Sequence, residues 1–111
     1  MDLYNEVLEL IEQQKSATKR LIHTGREYGK AMTDARVALR EELLRLESQG
    51  RPVTNLYYIA RGAKSVAEAK FKEIEKEAIY KANQEYILVL KLEARIKEKQ
   101  LEREWYSPEN Q

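Results

Sequence analysis

Ser65-Val66-Ala67-Glu68 opens a run that continues to Trp105 with neither glycine nor proline, and this run decides the fold. The Ser-x-x-Glu spacing is that of a capping box, in which the serine oxygen accepts a free backbone N–H and the glutamate reaches back. Beyond it Phe71, Ile74, Ala78, Ala82, Val89 and Ile96 recur at intervals of three, four or seven residues, and Tyr86 and Leu90 widen the stripe. That periodicity predicts one apolar face on a helix over residues 65–105. The rest of the chain then reads as a partner for this face or a way of reaching it.

Upstream, residues 2–48 carry a second helical pattern. Tyr4, Val7, Ile11, Leu21, Tyr28, Met32, Ala35, Leu39 and Leu46 fall at heptad-like positions, with Leu8, Ile22 and Leu43 beside them. Gln14, Thr18, Gly25 and Glu42 interrupt the stripe. Gly25 and Gly29 lie one turn apart and cost about 1 kcal/mol each relative to alanine, which points to close packing or a bend there. Asp2, Glu6, Glu9 and Glu12 put negative charge at the positive end of the helix dipole. Ser48-Gln49-Gly50-Arg51-Pro52 stops the helix, with Gly50 suited to a left-handed terminal residue. In the connector, residues 49–64, Thr54 is the expected N-cap of a short helix closed by Gly62. Leu56, Tyr57 and Ile59 are expected to plug the end of the bundle. Tyr106 to Gln111 should fray.

These patterns predict an all-α, single-domain protein over residues 1–111: a long antiparallel helical hairpin with a short helical connector. Each long helix would reach roughly 60–70 Å at 1.5 Å per residue. One seam cannot cover Leu8, Leu10, Ile22, Leu44, Ile79, Ile87, Leu88, Leu92 and Leu101 as well. Pairing of two hairpins into a four-helix bundle, a homodimer, would cover them.

Composition excludes several classes of function. Twenty basic and 19 acidic residues leave a net charge of +1, so the chain is no bulk polyelectrolyte, and a charged site must be a local patch. Without cysteine there is no disulfide framework or thiolate chemistry. The N-terminus lacks the basic and apolar segments of a signal peptide, and no apolar run approaches the ~18 residues of a membrane span. The expectation is a soluble cytoplasmic protein that does not engage membranes.

Catalytic chemistry finds no constellation. The single histidine, His23, has Glu27 one turn on, but one imidazole and one carboxylate do not complete a zinc site. Glu41-Glu42 and the Glu102/Glu104 pair lie among basic neighbours, and phosphate-loop and nucleophile-elbow motifs are absent. No catalytic residue, metal, cofactor or small-molecule substrate is expected. A helix-turn-helix over residues 53–70 would present Ser65, Val66, Ala67 and Glu68 to the major groove, a poor reading set. A basic stripe is more informative. Lys15, Lys19, His23, Arg26 and Lys30 share a helical face, and in an antiparallel hairpin they approach Lys91, Arg95 and Lys99. Lys15, Lys19, Arg26, Lys30, Lys91 and Arg95 could contact phosphates, with Tyr28 and Tyr86 stacking on bases, unless Glu85, Glu93 and Glu98 neutralise them.

The segments Gly50-Arg51-Pro52-Val53-Thr54-Asn55-Leu56, Ile59-Ala60-Arg61-Gly62 and Val66-Ala67-Glu68-Ala69-Lys70-Phe71 resemble a family of small uncharacterised proteins of Gram-positive phages and prophages. Ala78-Ile79-Tyr80-Lys81-Ala82 and Arg103-Glu104-Trp105 extend the likeness from about Tyr28 to Trp105. The resemblance implies a phage protein made in the bacterial cytoplasm and carries no catalytic motif. The surplus of apolar helical faces makes the expected function non-enzymatic assembly or adaptor work on a phage or host protein. Self-association would run through Ile11, Leu21, Tyr28, Met32, Leu39, Ile74, Tyr86, Val89 and Ile96. The alternative is a nucleic-acid-binding accessory factor in phage replication or recombination.

Overall fold

The computed structural model describes residues 2–106 (for Val53, the backbone only), so the fraying expected of residues 107–111 lies outside the described residues. Helix α1 spans Leu3–Ser48, a 3-10 turn covers Val53–Asn55, α2 spans Leu56–Gly62 and α3 spans Lys64–Trp105. Every regular element among the described residues is a helix, and there is no strand among them.

Local chemistry fixes the helix ends. The Asp2 carboxylate accepts the Asn5 N–H at 2.8 Å, which satisfies one of the free donors of the first turn of α1. At the other end the Gly50 N–H donates to the Glu47 carbonyl and the Arg51 N–H to that of Leu46, at 3.0 and 3.3 Å. This is a Schellman closure, and it requires the left-handed φ of +74° that Gly50 adopts.

Two expected caps are displaced. Thr54 lies within the 3-10 turn, and Asn55 stands before α2 without a side-chain cap bond. Ser65 is the second residue of α3. The N-terminal turn is instead entered from Ala63, whose carbonyl accepts the Ala67 N–H at 2.9 Å. Ala63 also closes α2 by donating to the Ala60 carbonyl, at φ −65° and ψ 140°. One extended residue thus joins the two helices, and this moves the start of α3 ahead of Ser65.

The chain divides into two compact units. The first combines the segment of α1 up to His23 with the part of α3 from Lys81 onward. Its core is Leu10, Ala17, Ile87, Leu90 and Ala94, with Leu21 packed against them. Tyr4 lies with residues 95–106 and Ala17 with Tyr86, so the two segments run antiparallel within this unit. Glu6 accepts a hydrogen bond from Lys97 at 3.3 Å.

The second unit comprises Thr24–Tyr80. Leu46, Leu56 and Ala60 form its core, with Leu39 and Leu43 against them. Leu56 and Ala60 are therefore the connector's plug, whereas Tyr57, Tyr58 and Ile59 are exposed. The seven-residue helix turns one face inward, and Leu56 and Ala60, four apart, share it. Elsewhere in this unit Glu27 accepts from Lys76 at 3.1 Å, and the rings of Tyr28 and Tyr80 lie 5.9 Å apart.

Burial along α3 corrects the choice of packing face. Val66, Glu73, Ile87, Leu90 and Ala94 are buried, and Ala69, Lys76, Tyr80 and Asn83 between them and Lys97 beyond them are half-buried. The purely apolar stripe of Phe71, Ile74, Ala78, Ala82, Val89 and Ile96 is exposed. The opposing face of α1 explains this. It buries Val7, Leu10, Ala17, Thr24, Ala31 and Ala35 at intervals of three, four or seven, a narrow line in which small residues run from Ala17 to Ala35. Lysines at the margin of such a seam lay their stems along it and reach a carboxylate, as Lys76 and Lys97 do.

The two mid-helix glycines differ. A Cβ on Gly25 would stand 3.1 Å from the edge of the Tyr80 ring, whereas one on Gly29 would meet open space. Gly25 permits close packing, and Gly29 only lowers helix propensity. Gly29→Ala should stabilise the protein by about 0.5–1 kcal/mol. Gly25→Ala should gain less or lose stability, because Tyr80 must move. Thermal unfolding followed by circular dichroism checks both; an equal gain at the two positions would contradict the packing role of Gly25.

Candidate functional site

The surfaces available for function are helix faces and the grooves beside them. Of the residues expected to mediate self-association, Leu21 and Leu39 pack against the two cores, and Tyr28 faces Tyr80. Met32 is half-buried at the edge of a groove. Ile11, Ile74, Tyr86, Val89 and Ile96 remain on the surface, with Ile74, Val89 and Ile96 each more than half exposed. In the second unit the exposed large apolar residues on α3 are Phe71, Ile74 and Ile79. In the first unit Tyr86, Leu88, Val89, Leu92 and Ile96 are exposed. Leu10 and Ile87, counted from sequence among the surplus apolar residues, are core residues.

One concavity lies within the second unit, about 540 Å³ in volume. Met32, Leu39, Val66 and Ile74 supply apolar walls, and Arg36, Arg61 and Lys70 supply positive charge. Glu73 is the one carboxylate among the lining residues. It is only 8% exposed, and Lys70 donates to it at 2.8 Å. The Arg61 guanidinium sits 5.5 Å from the centre of the Tyr57 ring, a cation–π contact that holds Arg61 beside the groove. Apolar walls under a cationic margin suit an amphipathic, acidic surface.

Sequence reading missed this groove. Its signal was the second heptad phase of α3, Val66-Ala69-Glu73-Lys76, obscured because Glu73 and Lys76 make that phase look polar. Choosing it would have put Glu73 on the seam and Lys70 beside it.

The six residues considered for phosphate contact are all exposed, and they are divided between the units. Lys15, Lys19, Lys91 and Arg95 belong to the first, and Arg26 and Lys30 to the second. Lys15 donates to Glu12 at 3.3 Å. The ring of Tyr28, considered for stacking on bases, lies 5.9 Å from that of Tyr80. Elsewhere, the hydrogen bond from Arg45 holds the Glu42 carboxyl below the usual carboxylate range and raises Arg45 in turn. Among the described residues no group of three or more His, Cys, Asp or Glu side chains could hold a metal ion. No described helix is long and apolar enough to cross a membrane.

No protein-family model, curated protein or solved structure matches the chain.

The Lys70–Glu73 pair is testable. Lys70→Ala removes the partner of a largely buried carboxylate and should cost about 1–3 kcal/mol. Lys70→Ala combined with Glu73→Leu should recover most of that loss in chemical denaturation. Equal destabilisation by the single and double variants would show that the pair does not hold this wall of the groove.

Proposed function

We propose that this is a non-enzymatic assembly or adaptor protein that pairs with a second copy of itself through the outer face of α3. The observation that carries the reading is the exposed apolar stripe on that helix: Phe71 and Ile74 in one unit, Val89, Leu92 and Ile96 in the other. A solvated helix face is ordinarily polar, and a run of large apolar side chains on it is the usual mark of a protein interface. Partner helices would cover it as in a four-helix bundle.

The proposed protomer is an antiparallel hairpin. Two ion pairs support it. From Glu6 to Glu27 on α1 is three heptads, and from Lys76 to Lys97 on α3 is the same interval. Equal spacing on both helices is what a single continuous coiled-coil register would give. Further copies of the face would be open to a phage or host protein. The phage context and the bacterial cytoplasm rest on the resemblance of Gly50–Leu56, Val66–Phe71 and Arg103–Trp105.

Sedimentation equilibrium tests self-association. The wild-type chain should show the mass of a dimer, and Ile74→Asp with Val89→Asp should show that of a monomer with unchanged helical circular dichroism. A monomeric wild type at tens of micromolar would sink the reading. Anisotropy of labelled single- and double-stranded DNA tests the alternative. Binding that falls steeply with salt and is lost with Lys15→Glu and Lys19→Glu would replace assembly by nucleic-acid binding.

A further inference from the structure

The net charge of +1 conceals two opposed local surfaces. The groove of the second unit has three cations on its lining against one carboxylate, and Lys70 already occupies that carboxylate. Arg36 and Arg61 are exposed there. Its apolar walls include Met32 and Leu39, one heptad apart on α1, with Ile74 opposite on α3.

The complementary surface is carried by the chain itself. At the start of α1, Tyr4, Leu8 and Ile11 are exposed at the spacing of one helical face, and Tyr4 and Ile11 are also one heptad apart. Glu9 and Glu12 lie beside them. With Asn5, Leu8 and Gln13 they line a shallow depression that has no cation among its lining residues. Lys15 reaches Glu12 from the next turn, but both side chains are about two-thirds exposed or more. Water competes with such a pair, and an arginine from another molecule could displace it at small cost.

The geometry points to a second copy of this chain as the occupant of the groove, docked by the acidic first three turns of its α1. Tyr4, Leu8 and Ile11 of one copy meet Met32, Leu39 and Ile74 of the other, while Glu9 and Glu12 meet Arg36 and Arg61. Both surfaces extend over two helical turns, about 10 Å, so the apolar and charged contacts can form together. In a two-fold dimer the contact forms twice, once in each direction. This inference rests on the self-association proposed above and specifies which surfaces meet and in what sense.

Charge exchange tests it. Glu9→Lys with Glu12→Lys makes both surfaces positive, and Arg36→Glu with Arg61→Glu makes both negative. Each double variant alone should dimerise about tenfold or more weakly than wild type in sedimentation equilibrium. An equimolar mixture of the two should regain an affinity within about threefold of wild type, because every contact in the mixed dimer again pairs opposite charges. Recovery on mixing also shows that neither variant has lost its fold. Double variants that dimerise like wild type, or that stay weak when mixed, overturn this docking while leaving pairing through α3 intact. A monomeric wild type overturns both.

Discussion

How closely α1 and α3 approach is set by what α1 leaves out. Its buried line is mostly alanine and threonine, and at Gly25 it has no side chain at all, where Tyr80 lies against the backbone. Small residues bring a partner helix near, so dispersion contacts accumulate over a narrow strip. A narrow strip also buries little area for its length. Large apolar side chains on α3 that do not fall on it must remain outside, and Phe71, Ile74, Val89 and Ile96 do. The exposed stripe and the tight seam thus have one cause.

That cause also shows which parts of the fold were legible from sequence. The stop at Gly50 depends on local chemistry, a positive φ and a following proline, and it was readable. The packing face of α3 was not. Hydrophobic periodicity selects the most apolar phase of a helix, and here the packed phase contains Glu73, Lys76, Asn83 and Lys97. Only the partner's narrowness and its facing carboxylates make that phase the better fit. The caps failed for a related reason. Ser65 and Thr54 are good capping residues, but a single-residue link at Ala63 and a 3-10 turn before α2 are decided by packing in the connector. Leu56 and Ala60 are buried there, and Leu46 lies against them.

The surface sorts its charges by location. Acidic residues gather at the start of α1, where the helix dipole favours them, and they keep exposed apolar neighbours. Cations gather around the groove of the second unit, where Tyr57 fixes one of them and Glu73 holds another. A chain nearly neutral in sum can therefore carry directional attraction between copies, which a uniform mixture of the same residues would lack.

The half-buried lysines have a further consequence, for alignment. Where a seam is held by small residues, as at Ala31 and Ala35, helices can slide by a heptad with little change in apolar contact. In the first unit such a slip would set Glu6 against Glu104 in one direction and Leu90 in the other, instead of Lys97. In the second, Glu27 would face Asn83 or Ala69 instead of Lys76. The shift toward Glu104 and Asn83 leaves Lys97 opposite Gln13 but gives Lys76 a new carboxylate at Asp34, and the opposite shift sets Lys76 against Arg20. Partly exposed ion pairs add little to the strength of packing, yet the shifts that set Glu6 against Glu104 or Lys76 against Arg20 bring like charges together. The pairs act as a proofreading device where small residues leave the alignment weakly specified by apolar contact.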